Sequence, residues 1–182
     1  MPSIATPTLQ HDGIARRIPH QGSMCLLDRV ASWDTRQIHC EASSHLAQSN
    51  PLRAYGRLGA ACGIEYAAQA MAVHGALIAQ AQASAGEATN GPQIGYLVSV
   101  RSVVLHVERL DKLSGALIIQ AERMSGDDST LLYSFTLHCG IALLVSGRAV
   151  VVVNAASLTL PNRTSSPGFA ANPSHKSQNP HE

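Results

Sequence analysis

A chain of 182 residues with a formal net charge of +1, 45% apolar and 14% charged residues can build one domain with a full core, and it has no global field to attract nucleic acid or an anionic membrane. Aromatic residues make up only 4% and no basic stripe interleaves with them, so a nucleic-acid interface is not expected. So low a charge content for a monomer's surface points to area covered by a partner subunit.

Residues 1–12 carry Pro, Thr and Ser with little periodicity and are expected to be poorly ordered. Their beginning has neither a basic start nor an apolar core, so a secretory signal is not expected and the cytoplasm is the natural location. Gly13 to Arg17 fits a short helix, and Pro19 and Gly22 in IPHQGSM force a turn. Residues 24–33 read as a strand, DTR as a tight turn, and residues 37–44 as a second strand alternating Ile38, Cys40 and Ala42 with polar neighbours. The pattern then dissolves over His45–Gly56 into a twelve-residue connection with Asn, Pro and Gly, and connections of that length are often functional.

Leu58 to Gln80, LGAACGIEYAAQAMAVHGALIAQ, is the longest apolar stretch. Between Leu58 and Ala79 only Glu65, Gln69 and His74 are polar. Its length favours helix over strand, and a helix apolar nearly all round is expected to be buried on every side. Glu65 and Gln69 are four apart and share a helix face; a carboxylate buried there is costly unless paired or engaged in chemistry. After a turn-rich linker at 84–92, four strand-like runs follow at 93–110, 115–124, 130–139 and 141–154, separated by DKLS, SGDDS and Gly140, which are hairpin-type turns. Residues 155–182, rich in Ser, Pro, Asn and His, cannot bury enough surface to fold and are expected to form a disordered tail. The organisation is therefore an α+β domain at 13–154, with a curved antiparallel sheet wrapped around one long central helix. Cys25, Cys40, Cys62 and Cys139 form no CxxC pair, and His39, His106 and His138 lie on separate predicted strands, so neither a metal site nor a cofactor is expected. There is no GxSxG, GxxxxGK[ST], GxGxxG or HExxH pattern.

IPHQGSMCLLDRV at 18–30, IEYAAQA at 64–70 and GYLVSVRSVVLHVERLDKLSG at 95–115, in that order, resemble the hot-dog-fold 3-hydroxyacyl-[acyl-carrier-protein] dehydratases, and in particular the aryl polyene type. The likeness covers residues 13–153. It implies a hot-dog fold, a homodimer or dimer of dimers with the active site between subunits, a substrate carried as a thioester on the phosphopantetheine of an acyl carrier protein, and association with a ketosynthase complex. Elimination of water needs a base for the C2 proton, an acid for the departing hydroxyl and donors for the thioester oxygen.

On the resemblance Glu65 occupies the position of the family's helix carboxylate, but the loop position of its catalytic histidine is held by Pro51. His45, which opens the same loop, is the first candidate to replace it, and His20, whose family counterpart is structural, the second. His74, nine residues after Glu65, falls on the opposite helix face and reads as a core histidine. Backbone N–H groups at Gly59 and Ala60 are candidates to hold the thioester oxygen, although Gly59 and Gly63 fit close packing equally well. Gln69 is a candidate to orient Glu65 or to bind substrate, and Arg53 and Arg57 to engage an acidic carrier protein. Two further readings stay open. One is a hot-dog acyl thioesterase in which Glu65 activates water or attacks the carbonyl. The other is a non-catalytic acyl-binding subunit that has lost the loop histidine.

Overall fold

A computed structural model describes residues 9–86, 95–127 and 129–153. The described chain begins with a short strand β1 (Leu9–Gln10) and helix α1 (His11–Ala15), so order starts before residue 13. Strands β2 (Arg29–Trp33) and β3 (Gln37–Ala42) form the first hairpin, helix α2 (Gly63–Ser84) follows the long connection, and β4 (Gly95–Leu105), β5 (Leu117–Gly126), β6 (Thr130–Cys139) and β7 (Ala142–Val153) complete the chain. They build one antiparallel sheet in the order β1-β2-β3-β5-β6-β7-β4. The expected tail at 155–182 and most of the linker at 84–92 lie outside the described residues. No helix among the described residues is long and apolar enough to cross a membrane.

Alternation decides which face of the sheet meets α2. Ile38, Cys40 and Ala42 of β3, Leu117, Ile119 and Ala121 of β5, and Tyr133, Phe135 and Leu137 of β6 are buried, and they pack with Tyr66, Ala67, Ala70, Met71, Val73 and Leu77 of the helix. The helix packs tightly on the sheet at Gly63, where a Cβ would lie 2.9 Å from Leu137 Cδ2 and 3.1 Å from Val145 Cγ2. The small residue is what lets the first turn sit this low on the sheet.

Two expectations need correcting. Of the strand expected at 24–33, only Arg29–Trp33 is strand; Asp28 N–H still donates to Glu41 O of β3 at 2.8 Å, while the backbone of Met24 and Leu26 bonds sideways to the helix, as described below. Nor is α2 buried on all sides, because the sheet covers one flank and residues 14–28 another. Ile64, Ala68, Ala72 and Gly75 keep partial exposure and residues 80–84 are exposed.

Candidate active site

Glu65 lies in the first turn of α2, where the helix dipole favours a negative charge. Its carboxylate is not enclosed as expected, since the side chain is 31% exposed. Two groups converge on one of its oxygens. Gln69 Nε2 donates to Glu65 Oε1 at 3.0 Å, and His20 Nε2 lies 3.0 Å from the same atom. The i,i+4 spacing supplies the first contact; the second crosses 45 residues of sequence and depends on the 18–28 segment folding back over the helix.

Gln69 makes that fold-back. Fully buried, it accepts from Leu26 N–H at 2.9 Å and donates to Met24 O at 2.7 Å, in addition to Glu65. Cys25, Leu26 and Leu27 are thereby held against the core, and the segment just before them carries His20. Gln69 is thus withdrawn from direct substrate contact: its amide is consumed in placing the other two residues of the cluster.

The proton positions follow from counting partners. Oε1 accepts from Gln69, while His20 Nδ1 is buried with no protein partner. A bare lone pair is less costly to leave unpaired than a buried N–H. The His20 proton therefore sits on Nε2 and points at Oε1, with the hydrogen position assigned by this network. Glu65 Oε2 has no protein partner among the described residues, so it is the carboxylate atom open to a substrate.

His45 is not part of this cluster. It sits in a helical turn at Ser44–Leu46, is completely enclosed, and has neither ring nitrogen hydrogen-bonded. Burial pushes its imidazole below the ordinary value, opposed by the nearby backbone of Leu113 and Gly115. What closes the loop over it is the network below: Asn50 Nδ2 donates to Ser44 O and Tyr66 Oη, Ser44 Oγ bonds Tyr66 Oη and Leu26 O, and Arg53 Nη2 donates to His45 O. Ser44, Asn50 and Tyr66 went unnoticed in the sequence because short polar residues in a loop carry no periodic signal.

Arg53 is likewise internal. Its side chain is 8% exposed and paired with Asp111, and it donates to Ala47 O at 2.8 Å, so it braces the loop and is removed from carrier contact. Asp111 also takes Arg109 and the Leu58 N–H, and those partners, Arg109 foremost, hold its carboxyl well below the usual carboxylate range. Arg57 is exposed. The expectation for Ala60 fails, since its N–H donates to Glu108 O at 3.0 Å. Gly59 N–H has no acceptor among the described residues, and nothing of the chain lies within 4 Å of where its Cβ would be. His74, on the far helix face, is a satisfied core residue: Nε2 donates to Asp34 O at 2.7 Å and Nδ1 lies 3.0 Å from Tyr133 Oη. No cluster of three or more metal-binding side chains occurs among the described residues.

A carboxylate with one oxygen held by two donors and the other free is an acid/base group of fixed orientation. Comparison with known proteins places this arrangement in context. A family model described as ApeP-like, ApeP dehydratase, matches residues 13–160. No curated protein matches. Among solved structures, the dehydratase heterocomplex ApeI:P from Xenorhabdus doucetiae superposes with a TM-score of 0.64 at 24% identity, covering 83% of this chain and 92% of that one. A thioesterase from Haemophilus influenzae gives 0.55 at 9% identity, covering 83% and 94%, and a mutant thioesterase from Pseudomonas aeruginosa gives 0.53 at 12%, covering 83% and 98%. These structures share the hot-dog fold.

Proposed function

The chain belongs to the ApeP-like dehydratase family, and on that premise we propose that it eliminates water from 3-hydroxyacyl thioesters carried on acyl carrier protein, with Glu65 as acid/base and His20 as the donor that fixes it. It is a dehydratase, a hydro-lyase. The observation that carries the assignment of roles is the pair of donors on Glu65 Oε1, which leaves Oε2 as the working atom.

The chemistry closes on that atom. Oε2 takes the C2 proton while the electron pair moves toward the thioester carbonyl, whose oxygen finds the free N–H of Gly59. The C3–O bond then breaks as the proton on Oε2 passes to the leaving hydroxyl, giving water and the 2-enoyl thioester. The His20 N–H on Oε1 keeps the carboxylate aimed and tempers its charge change. Pro51 at the usual histidine position does not remove the reaction in this scheme, because the proton carrier is on the helix.

The site also has a neighbour to expect. Strand β4 is the sheet's last strand, bonded only to β7, and Tyr96, Leu97, Val98, Val100, Val104 and Leu105 on it are exposed. An unpaired apolar edge is a template for strand addition. The reading is that a second hot-dog subunit, a copy or a related chain, extends the sheet there; the heteromeric state of the Xenorhabdus structure supports that reading.

The test uses a 3-hydroxyacyl group loaded on carrier protein and follows enoyl formation. Glu65→Gln is expected to lower kcat by about 10²–10⁴-fold. His20→Ala should cost about tenfold or more and change the pH profile, with His20→Gln recovering part of the loss. Full activity in Glu65→Gln would sink the assignment, and release of free thiol from acyl groups lacking the 3-hydroxyl would mark a hydrolase.

A further inference from the structure

The loop before α2 carries a feature that neither packing nor the acid/base cluster explains. Ala54 and Arg57 exchange backbone hydrogen bonds in both directions at 2.9 Å, closing a two-residue hairpin turn around Tyr55 at φ 51° and Gly56 at φ 71°. Glycine takes that conformation freely, whereas tyrosine does so against a steric cost. Tyr55 gains nothing in return among the described residues, because its ring is entirely exposed.

The turn is built to stay in place. Arg53 donates from beneath to Ala47 O, His45 O and Gly56 O, and pairs with Asp111; Asp111 in turn holds the Leu58 N–H on the other side of the turn. Arg57 and Lys112 are both exposed, and neither has an anionic partner among the described residues. Asp111, between the two arginines that it pairs, is already neutralised, which leaves Glu108 as the exposed acid of this stretch. The tip therefore presents an exposed aromatic ring on a braced turn, with Arg57 in the same turn and Lys112 next in sequence to the Asp111 that holds it. From Arg57 the chain runs through Gly59 and the turn at Ala60–Cys62 into the first turn of α2, so Glu65 lies eight residues on, at most ~29 Å away.

We propose that Tyr55, Arg57 and Lys112 form the docking point for the acidic carrier protein that delivers the acyl thioester, with Tyr55 as the anchor and the two cations as steering charges. The proposal rests on the dehydratase reading above. Rigid exposed aromatics and arginines are the side chains that concentrate binding energy at protein contacts, and rim cations accelerate encounter with an acidic partner and make it salt-sensitive. A strained tyrosine at the tip, where the turn itself would favour Asn or Gly, is what such an anchor requires. The acyl arm of a carrier seated here can follow the loop toward Gly59 and Glu65.

The experiment compares the full chain with Tyr55→Asn, which keeps the turn, and with the double variant Arg57→Glu/Lys112→Glu. Each is assayed on one 3-hydroxyacyl group presented on carrier protein and on N-acetylcysteamine, and its mass is measured by light scattering. For the carrier-bound substrate KM should rise about tenfold in either variant, well beyond any change with the short thioester, with masses equal to wild type. Added salt should weaken the wild type and leave the charge-reversed variant little affected. Equal KM changes on both substrates would overturn the proposal, and so would a loss of mass, which would assign the tip to a subunit interface. If the wild type turns over neither substrate, the dehydratase reading fails separately, and calorimetric titration with phosphopantetheinylated carrier still decides the docking: binding lost in both variants supports it, binding retained refutes it.

Discussion

Gln69 shows how much one side chain in the helix decides. It satisfies Leu26 N–H and Met24 O and donates to Glu65, so Gln69→Leu, close in shape, strips three hydrogen bonds and leaves the buried Leu26 N–H and the part-buried Met24 O unpaired. Urea denaturation should show a loss of about 2–4 kcal/mol, with activity falling further than stability because His20 loses its support. Glu65 and Gln69 were legible in the sequence as a pair, since i,i+4 spacing fixes a shared face whatever the rest of the fold does. The histidines were both named, but not in the order of their distance from Glu65. His45 is nearer to Glu65 in sequence and begins the right loop, but the Asn50–Tyr66–Ser44 network turns that loop inward, and His20 arrives instead through contacts formed only in the folded chain. His74 adds a pH dependence. Burial pushes its imidazole below the ordinary value of 6.5, with the Asp34 carbonyl opposing and Arg123 assisting, and His45 is shifted the same way. The unfolded chain then binds more protons than the fold just below pH 6.5, so stability is complete above that value and declines as the solution is acidified. Urea midpoints measured from pH 7 to pH 5 should fall, and His74→Gln should flatten the decline.

Among the elements, the sheet and the helix were readable because period-2 alternation and a long apolar run are strong signals. Residues 24–28 were not, because an apolar run beside a turn looks the same whether its backbone bonds a strand or a glutamine. The first turn of α2 is the contact most sensitive to size. Gly63→Ala places a methyl group 2.9 Å from Leu137 Cδ2, and lifting the helix there should cost about 1–3 kcal/mol in thermal or urea unfolding and shift Glu65 relative to His20. At the sheet's end, Arg101 of β4 stands directly across from Arg148 of β7, and like charges in that relation repel. Arg101→Glu should therefore raise stability by a few tenths of a kcal/mol, seen as a higher Tm.

At the scale of the molecule, the proposed second subunit on the β4 edge would account for both the low charge content of the sequence and the exposed apolar strand. Light scattering should give at least twice the chain mass, either for the chain alone or with a related hot-dog partner, and Val100→Lys should lower it. What the sequence could not convey is how the site is shared between near and distant segments, because the 18–28 segment and the helix meet through contacts 43 to 45 residues apart in the chain.

The central claim is that one carboxylate, held by His20 and Gln69, performs the elimination. Single-turnover dehydration of a carrier-bound 3-hydroxyacyl group tests it most directly, comparing wild type, Glu65→Gln, His20→Ala and His45→Gln at matched folded concentration. The account predicts a collapse of the rate in Glu65→Gln, a marked loss in His20→Ala and a rate near wild type in His45→Gln. Loss of turnover in His45→Gln with His20→Ala unimpaired would contradict it.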